Sequence, residues 1–235
     1  MLQTNPQPLP YKHVLITSLL FLAASLISHH SGIDLWLAKQ IYLLEGGNGG
    51  QFPWKNNYWL SDMIHDKGRT LVGTLFILTL TMLIASTRIA SIAPYRKILL
   101  YIIVATLLST LVVSTLKHLT TIPCPYHLRS FGGDQQWVNI WQLFSPELPA
   151  GKCYPAGHAS GGYAWLALAF LAPKGSRTFF LLLMPGTILG LIFGIAQQFR
   201  GAHFLSHDLA TIACCWFIAG TTYHLMGKGN FMASL

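Results

Sequence analysis

Long stretches of apolar residues, free of Asp, Glu, Lys and Arg, recur along the chain. A helix needs about 20 mostly apolar residues to cross the hydrocarbon core of a bilayer. Six stretches approach or reach that length, and they cover residues 14–27, 70–87, 98–116, 159–173, 178–196 and 209–226. The pattern predicts an all-α fold, an integral membrane bundle of six transmembrane helices with an outer-face region of loops and helices, built as one domain over residues 1–235.

Two segments near the N-terminus need separate interpretation. The apolar stretch at residues 33–44 is short and contains Asp34 and Lys39, which predicts an interfacial helix that lies along the membrane surface without spanning it. The span at 14–27 has an alternative interpretation as a cleaved signal peptide, because Lys12 precedes it and small residues follow near its end. Cleavage would leave an odd number of spans, so we favour an uncleaved helix.

The composition agrees with a membrane protein. Of the 235 residues, 52% are hydrophobic and 9% are charged, whereas soluble domains have about 25% charged residues. A water-soluble fold is therefore excluded. The net charge of +8 would also suit a nucleic-acid partner, so the position of the charges has to decide.

Basic residues concentrate in the short loops on one side of the predicted spans. That side carries Lys12, Arg88, Arg96, Lys97, Lys174, Arg177 and Lys228, with no acidic residue. Short basic loops mark the cytoplasmic face of a membrane protein. We therefore expect a multi-pass protein of a bacterial inner membrane with both termini in the cytoplasm, long loops facing the periplasm, and no nucleic-acid partner.

Three polar clusters fall at the ends of spans on the predicted periplasmic face. They occupy residues 117–125, 154–160 and 200–208, and their common depth predicts a single site. In the second cluster a turn leads into a helix near His158, whose first N–H groups are free to bind an anion, and Gly157 allows close approach. Lys117 and Arg200 add fixed positive charge. The clusters therefore predict a phosphate site.

Two histidines in these clusters match the needs of phosphate-ester cleavage. One of His158 and His203 can attack phosphorus as a neutral imidazole while the other, protonated, donates to the leaving oxygen, because imidazole titrates near neutral pH. Asp208 is placed to hold the nucleophilic ring in one tautomer. This chemistry needs no metal or cofactor. Zinc bound by His203, His207 and Asp208 is the alternative, which the cationic Lys117 and Arg200 disfavour.

Together the clusters resemble the type 2 phosphatidic-acid phosphatase family of integral membrane lipid phosphatases, which is related to the vanadium haloperoxidases. The family pattern is K-x6-R-P, P-S-G-H and S-R-x5-H-x3-D, and the resemblance covers about residues 60–226. It implies that Lys117 and the Gly157 backbone bind phosphate. It also implies that His158 is the general acid and that His203 becomes phosphorylated.

The chain departs from that pattern in a way typical of a divergent bacterial branch. The departures are Cys124 and Gln197 in place of arginines, Ala156 in place of serine, and His207 in place of aspartate. In one interpretation Arg200 and Arg129 restore the guanidinium charge and Asp208 takes the carboxylate role. In the other, the protein has lost activity and only binds its ligand.

The remaining polar residues leave two further questions. Cys124 and Cys153 lie in one predicted periplasmic loop, where an oxidising compartment would favour a disulfide, although two free thiols are the simpler alternative. His65 and Asp66 also precede a span on this face, and we leave them outside the core site.

The sequence therefore predicts a metal-independent phosphatase that acts on a lipid phosphate or diphosphate at the periplasmic face. Its partners would be that substrate and the surrounding membrane lipids. Two alternatives stay open. One is a lipid-to-lipid phosphotransferase of the same fold; the other is a non-catalytic lipid-binding or transport protein, which the absence of charged residues within the spans disfavours. The sequence selects neither a particular lipid nor an oligomeric state.

Overall fold

The computed structural model describes residues 9–227, so Lys228 of the basic loops lies outside the described part. Within it the chain forms helices and loops, without a β-strand. The α-helices are α1 (Tyr11–His30), α2 (Ile33–Leu44), α3 (Gly68–Ala85), α4 (Arg96–Leu119), α5 (Gly157–Tyr163), α6 (Arg177–Phe199) and α7 (Leu205–Met226). A π-helix, Trp59–Lys67, leads directly into α3, and a 3-10 helix, Ala164–Leu171, continues α5.

Five helical segments are long and apolar enough to cross a membrane, which indicates a multi-pass membrane protein. They are Tyr11–His30, Trp59–Ala85, Ala93–Leu119, Arg177–Phe199 and Leu205–Met226. Five of the six predicted spans therefore correspond to such segments. The sixth predicted span, at residues 159–173, is a short α-helix, α5, followed by a 3-10 helix. Gly161 and Gly162 weaken the α-helix, and Pro173 follows the end of the 3-10 helix.

The α5 and 3-10 segment lies inside the bundle. Trp165, Leu166 and Phe170 are buried there. A Cβ atom added to Gly186 of α6 would come within 2.4 Å of the Leu166 backbone nitrogen. The glycines therefore allow α6 to approach this segment backbone to backbone, as small residues do between membrane helices.

The amphipathic helix predicted at residues 33–44 is present as α2 with the same bounds. Trp36 and Leu44 are exposed on one face, whereas Tyr42 and Asp34 are buried on the other. The location of α2 at a membrane surface stays a prediction. The burial of Asp34, which is 1% exposed, was not expected from an interfacial helix.

The long connection between α4 and α5 folds over one end of the bundle. It is held there by backbone hydrogen bonds from Tyr126 N to Gly201 O at 2.9 Å and from Ala156 N to His207 O at 3.2 Å. A disulfide between Cys124 and Cys153, with Cα atoms 5.3 Å apart, closes the connection on itself. These contacts bring the three polar clusters to the same end of the bundle.

Candidate active site

A cavity of about 740 Å³ opens at this end of the bundle. Five of the predicted catalytic and phosphate-binding residues line it: Lys117, Gly157, His158, Arg200 and His203. Two others do not, because Asp208 is buried within α7 and Arg129 lies on an exposed turn. The structure therefore brings together one residue or more from each of the three clusters.

The cavity wall is strongly cationic. Its basic and imidazole residues are Lys55, His65, Arg69, Lys117, His118, His127, Lys152, His158, Arg200 and His203, and its described lining contains no Asp or Glu. Positive charge on the walls of a concave site attracts anions. The arrangement suits a phosphate group.

The start of α5 forms the floor of this cavity. Ala156 is the N-cap residue and provides no side-chain hydrogen bond to the helix, so the first N–H groups stay available to a ligand. A Cβ atom added to Gly157 would lie 3.3 Å from Cδ and 3.5 Å from Nζ of Lys117. The lysine ammonium therefore sits directly above the open helix start.

His203 lies in the short connection between α6 and α7 and is 5% exposed. Burial, reinforced by the charge of Lys117 and opposed by a backbone hydrogen bond to Cys153, lowers the pKa of His203 to about 3. The ring is therefore neutral near pH 7, as a nucleophilic imidazole must be. Gly201, with φ +64° and with Phe52 where a Cβ would be, makes this tight connection feasible.

The His203 ring also contacts the ring of His207. The two Nδ1 atoms are 3.2 Å apart, so one ring donates and the other accepts. The structure does not bring Asp208 to His203. Its carboxylate accepts a hydrogen bond from Gln198 Nε2 at 2.6 Å and packs against Gly194, because one position along a helix turns a side chain by about 100°.

His158 lines the cavity beside the π-helix. Its ring centroid is 4.4 Å from that of His65 and 4.6 Å from that of Phe193, and its Nε2 atom has no hydrogen-bond partner among the described residues. Burial and the charges of His65, Arg200 and Arg69 lower the pKa of His158 to about 4, although a backbone hydrogen bond to Ile64 opposes the shift. A bound phosphate would favour its protonation.

The two arginines expected to replace the family's guanidinium groups behave differently. Arg200 lines the cavity, where its Nε donates to Lys55 O at 3.0 Å and its Nη1 donates to Gln197 Oε1 at 3.3 Å. Gln197, which stands at the family's arginine position, thus supports Arg200. Arg129 instead donates from Nε to Asp134 O at 3.1 Å, away from the cavity.

Sequence reasoning missed part of the cavity wall. His65 and Arg69 reach it from the π-helix and the start of α3, and His65 Nδ1 lies 2.7 Å from Asp66 Oδ1. The sequence does contain a run of ionisable residues just before this span. Such a run alone does not show whether the side chains point into the cavity. Lys152, which also lines the cavity, has φ +57°, an uncommon backbone conformation for a residue other than glycine.

One group of side chains comes close enough to hold a metal. In the described part of the chain, ligand atoms of Cys124, His127 and Cys153 lie within 4.8 Å of one another. Both cysteines are joined in the disulfide, so neither offers the thiolate that zinc requires. The trio of His203, His207 and Asp208 does not form such a group, since Asp208 faces Gln198.

Comparison with known proteins adds one finding. A family model described as the PAP2 superfamily matches residues 98–231, which is more than half of the chain. The match contains all three polar clusters and begins after α3. A comparison with curated proteins and with solved structures found no match.

Proposed function

Because the chain belongs to the PAP2 superfamily, whose members are phosphatases, we propose that it hydrolyses a lipid phosphate or diphosphate through a phosphohistidine on His203. The observation that carries the proposal is the meeting of His203 and His158, from distant parts of the chain, in one cationic cavity with Lys117 and Gly157. Family membership supports phosphatase activity on phosphate esters. The lipid substrate, the intermediate and the periplasmic site are our inferences.

The proposed first step transfers the phosphoryl group to the enzyme. Lys117, Arg200 and the backbone N–H of Gly157 bind the phosphate oxygens. The neutral His203 attacks phosphorus with Nε2, since its Nδ1 is engaged by His207. The bond from phosphorus to the leaving oxygen breaks as His158 donates a proton to that oxygen.

In the second step water displaces the histidine. His158, now neutral, takes a proton from the water. The water oxygen bonds to phosphorus, and the bond between phosphorus and the His203 nitrogen breaks. Inorganic phosphate leaves and both rings return to their starting states. No resident metal or cofactor is needed for either step.

His207 has a specific part in this scheme. Attack through Nε2 leaves a positive charge on the His203 ring, with hydrogen on Nδ1. A neutral His207 accepts a hydrogen bond from that N–H group through its own Nδ1, 3.2 Å away. It thereby fills the position that aspartate has in the family pattern, although without the negative charge of a carboxylate.

The lower part of the cavity supports a lipid substrate. Val72, Thr110, Ser114 and Gly161 line it from α3, α4 and α5. Thr110 lies about two helical turns before Lys117, which places it about 10 Å further along α4. A hydrocarbon chain can therefore stay among the apolar helices while its phosphate reaches Lys117.

We further propose that the predicted span at residues 159–173, formed by α5 after His158 and by the 3-10 helix, crosses the membrane as a sixth span. A 3-10 helix rises about 2.0 Å per residue, against about 1.5 Å for an α-helix, so the segment is longer than its residue count suggests. Six spans, together with the basic short loops, support cytoplasmic termini and a periplasmic active site in a bacterial inner membrane.

Transfer to a second lipid phosphate is the alternative outcome of the same intermediate. Lys55, His127 and Lys152 also line the cavity and have no part in the two steps above. They could bind a second anion, which would accept the phosphoryl group in place of water. Measuring phosphate release and transfer to an added lipid phosphate in one assay separates the two activities.

A phosphate-release assay tests the proposal. The detergent-purified protein is incubated, with a chelator present, with phosphatidic acid, phosphatidylglycerol phosphate, lipid A and undecaprenyl diphosphate. We expect release from at least one lipid, and a loss on the order of 10⁵-fold or more in His203→Ala. His30→Ala, which replaces an exposed histidine outside the cavity, should keep full activity. Normal release by His203→Ala would reject the mechanism.

A further inference from the structure

A buried carboxylate outside the family match reaches the start of α7. We propose that Asp34 of α2 is a positioning residue, which fixes the first turn of α7 and so holds the His203–His207 pair in its reactive geometry. This inference rests on the proposed function, because it assigns a role in the same reaction. The residue contacts no part of the cavity itself.

The carboxylate of Asp34 accepts hydrogen bonds from four donors. Its Oδ1 accepts from Ser28 Oγ at 2.8 Å and from Ser206 N at 3.0 Å. Its Oδ2 faces His29 Nδ1 at 3.2 Å and also accepts from Ser206 Oγ. Four donors satisfy the acceptor capacity of a carboxylate. Burial of this charge is therefore fully compensated, rather than incidental.

The bond to Ser206 N replaces a missing cap. Ser206 is the second residue of α7, where backbone N–H groups have no partner within the helix. The N-cap residue, Phe204, offers no side-chain hydrogen bond. A carboxylate from a different helix thus caps α7, with favourable charge at the positive end of the helix dipole.

The position of this cap matters for the reaction. Ser206 lies between His203 and His207, whose Nδ1 atoms are 3.2 Å apart. A rotation or shift of the first turn of α7 by about 1 Å would break that contact, and displacements of this size can cost about 10²-fold in rate. Asp34 is therefore coupled to the nucleophile through one residue.

The other side of Ser206 is tethered as well. Its carbonyl accepts a hydrogen bond from Ser25 Oγ at 2.7 Å, and Ser25 Oγ lies 3.0 Å from the Tyr154 hydroxyl. Tyr154 comes just before the turn that leads to Gly157. The network therefore links α1, α2 and the phosphate-binding turn to the same residue of α7.

His29 joins this network to the loop between α4 and α5. Its Nδ1 lies 3.2 Å from Asp34 Oδ2, its Nε2 lies 2.9 Å from Val138 O, and its ring stacks on Trp137 at 4.1 Å. These contacts hold the imidazole ring beside the Asp34 carboxylate.

Two substitutions of Asp34 distinguish the loss of its hydrogen bonds from the loss of its side-chain volume. Asp34→Ala removes the cap. Asp34→Asn keeps an oxygen for Ser206 N. It places its NH₂ group towards Ser206 Oγ, which can accept, and towards His29 Nδ1, which accepts when the ring hydrogen is on Nε2. We expect kcat to fall about 10²-fold in Asp34→Ala with little change in KM. Asp34→Asn should retain most of the kcat.

Two further measurements distinguish positioning from a general loss of stability. Orthovanadate mimics the five-coordinate transition state, so Asp34→Ala should weaken inhibition by orthovanadate more than inhibition by inorganic phosphate. Amide hydrogen exchange should also accelerate in the first turn of α7. Tyr101→Phe is the matched control, because it removes buried hydroxyl bonds to Ala167 O and Ala219 O, at 3.0 and 3.2 Å, outside the cavity.

The outcomes are distinct. The inference is overturned if Asp34→Ala keeps the wild-type kcat, or if Asp34→Asn and Asp34→Ala lose kcat equally. It is also overturned if Tyr101→Phe loses kcat in proportion to its loss of thermal stability. If Asp34→Ala fails to fold, Ser206→Ala removes one bond and should lower kcat with KM unchanged. If the wild-type protein releases no phosphate, the proposed function fails, while the exchange rate in α7 still decides whether Asp34 is the cap.

Discussion

The two walls of the cavity differ in how firmly they are built. On the α7 side, His203 is 5% exposed and His207 is fully buried. On the π-helix side, the side chain of His65 is 32% exposed and that of Asp66 is 65% exposed. The buried wall lies within the family match and the open wall lies before it. The comparison suggests that the proposed nucleophile, His203, belongs to the buried wall, and that the open wall receives the substrate.

Packing of the helices behind these walls shows the same contrast. Half of the apolar window of Leu205–Met226 is buried within the protein, against 6% for Trp59–Ala85. A helix buried on several sides keeps its side chains in fixed positions. The segment Trp59–Ala85 has few residues buried against the rest of the protein, so fewer contacts oppose its movement.

After loss of the nucleophile itself, the largest effect is expected from removing His207 on the buried wall. In His207→Ala the tautomer and orientation of His203 are no longer fixed, so kcat should fall roughly 10²- to 10⁴-fold with KM nearly unchanged. His207→Asp should recover part of the loss, because a carboxylate accepts the same hydrogen bond. Steady-state kinetics of both variants provide the measurement. A wild-type kcat in His207→Ala would show that the ring pair has no catalytic role.

The dependence of the rate on pH is expected to show the next largest effect. Burial lowers the pKa of His158 to about 4 in the empty site, so the protonated acid becomes about tenfold rarer per pH unit above that value. A bound phosphate raises the pKa of His158. The alkaline limb of kcat should therefore lie at higher pH than that of kcat/KM, once the ionisation of the substrate is accounted for. Coincident limbs would remove His158 from the role of proton donor.

The sequence was sufficient to predict features with local signals. The five long spans and the bounds of α2 follow from runs of apolar residues, and the three clusters share a cavity because their positions at span ends fix their depth. The features it did not predict depend on direction or distance. Whether His207 or Asp208 faces His203 is decided by about 100° of helix rotation. The bond from Asp34 to Ser206 joins residues that are 172 positions apart.

The segment after Gly157 was predicted as one regular helix, whereas it consists of an α-helix and a 3-10 helix. Its apolar composition indicates a membrane helix, whereas Gly161 and Gly162 weaken the α-helix and Gly162 packs directly against the Gly190 backbone of α6. Which residues of two distant segments come into contact is not visible in the sequence. The same holds for Lys55, which reaches Arg200 through its carbonyl oxygen.

The smallest effect is expected on the open wall. Arg69→Ala removes one of several cations from the cavity lining, so KM for a lipid phosphate should rise severalfold, about tenfold at most, with kcat nearly unchanged. Arg88→Ala, an exposed arginine outside the cavity, is the control. A large loss of kcat in Arg69→Ala would contradict the division of labour between the walls.

Detection of the phosphorylated histidine tests the central claim most directly. The protein is mixed with a phosphate-labelled lipid substrate, quenched in alkali, where phosphohistidine is stable, and analysed by mass spectrometry. The account predicts a phosphoryl group on the peptide that contains His203, absent from His203→Ala and present in His30→Ala. Phosphate release without a label on that peptide, or a label that persists in His203→Ala, would contradict it.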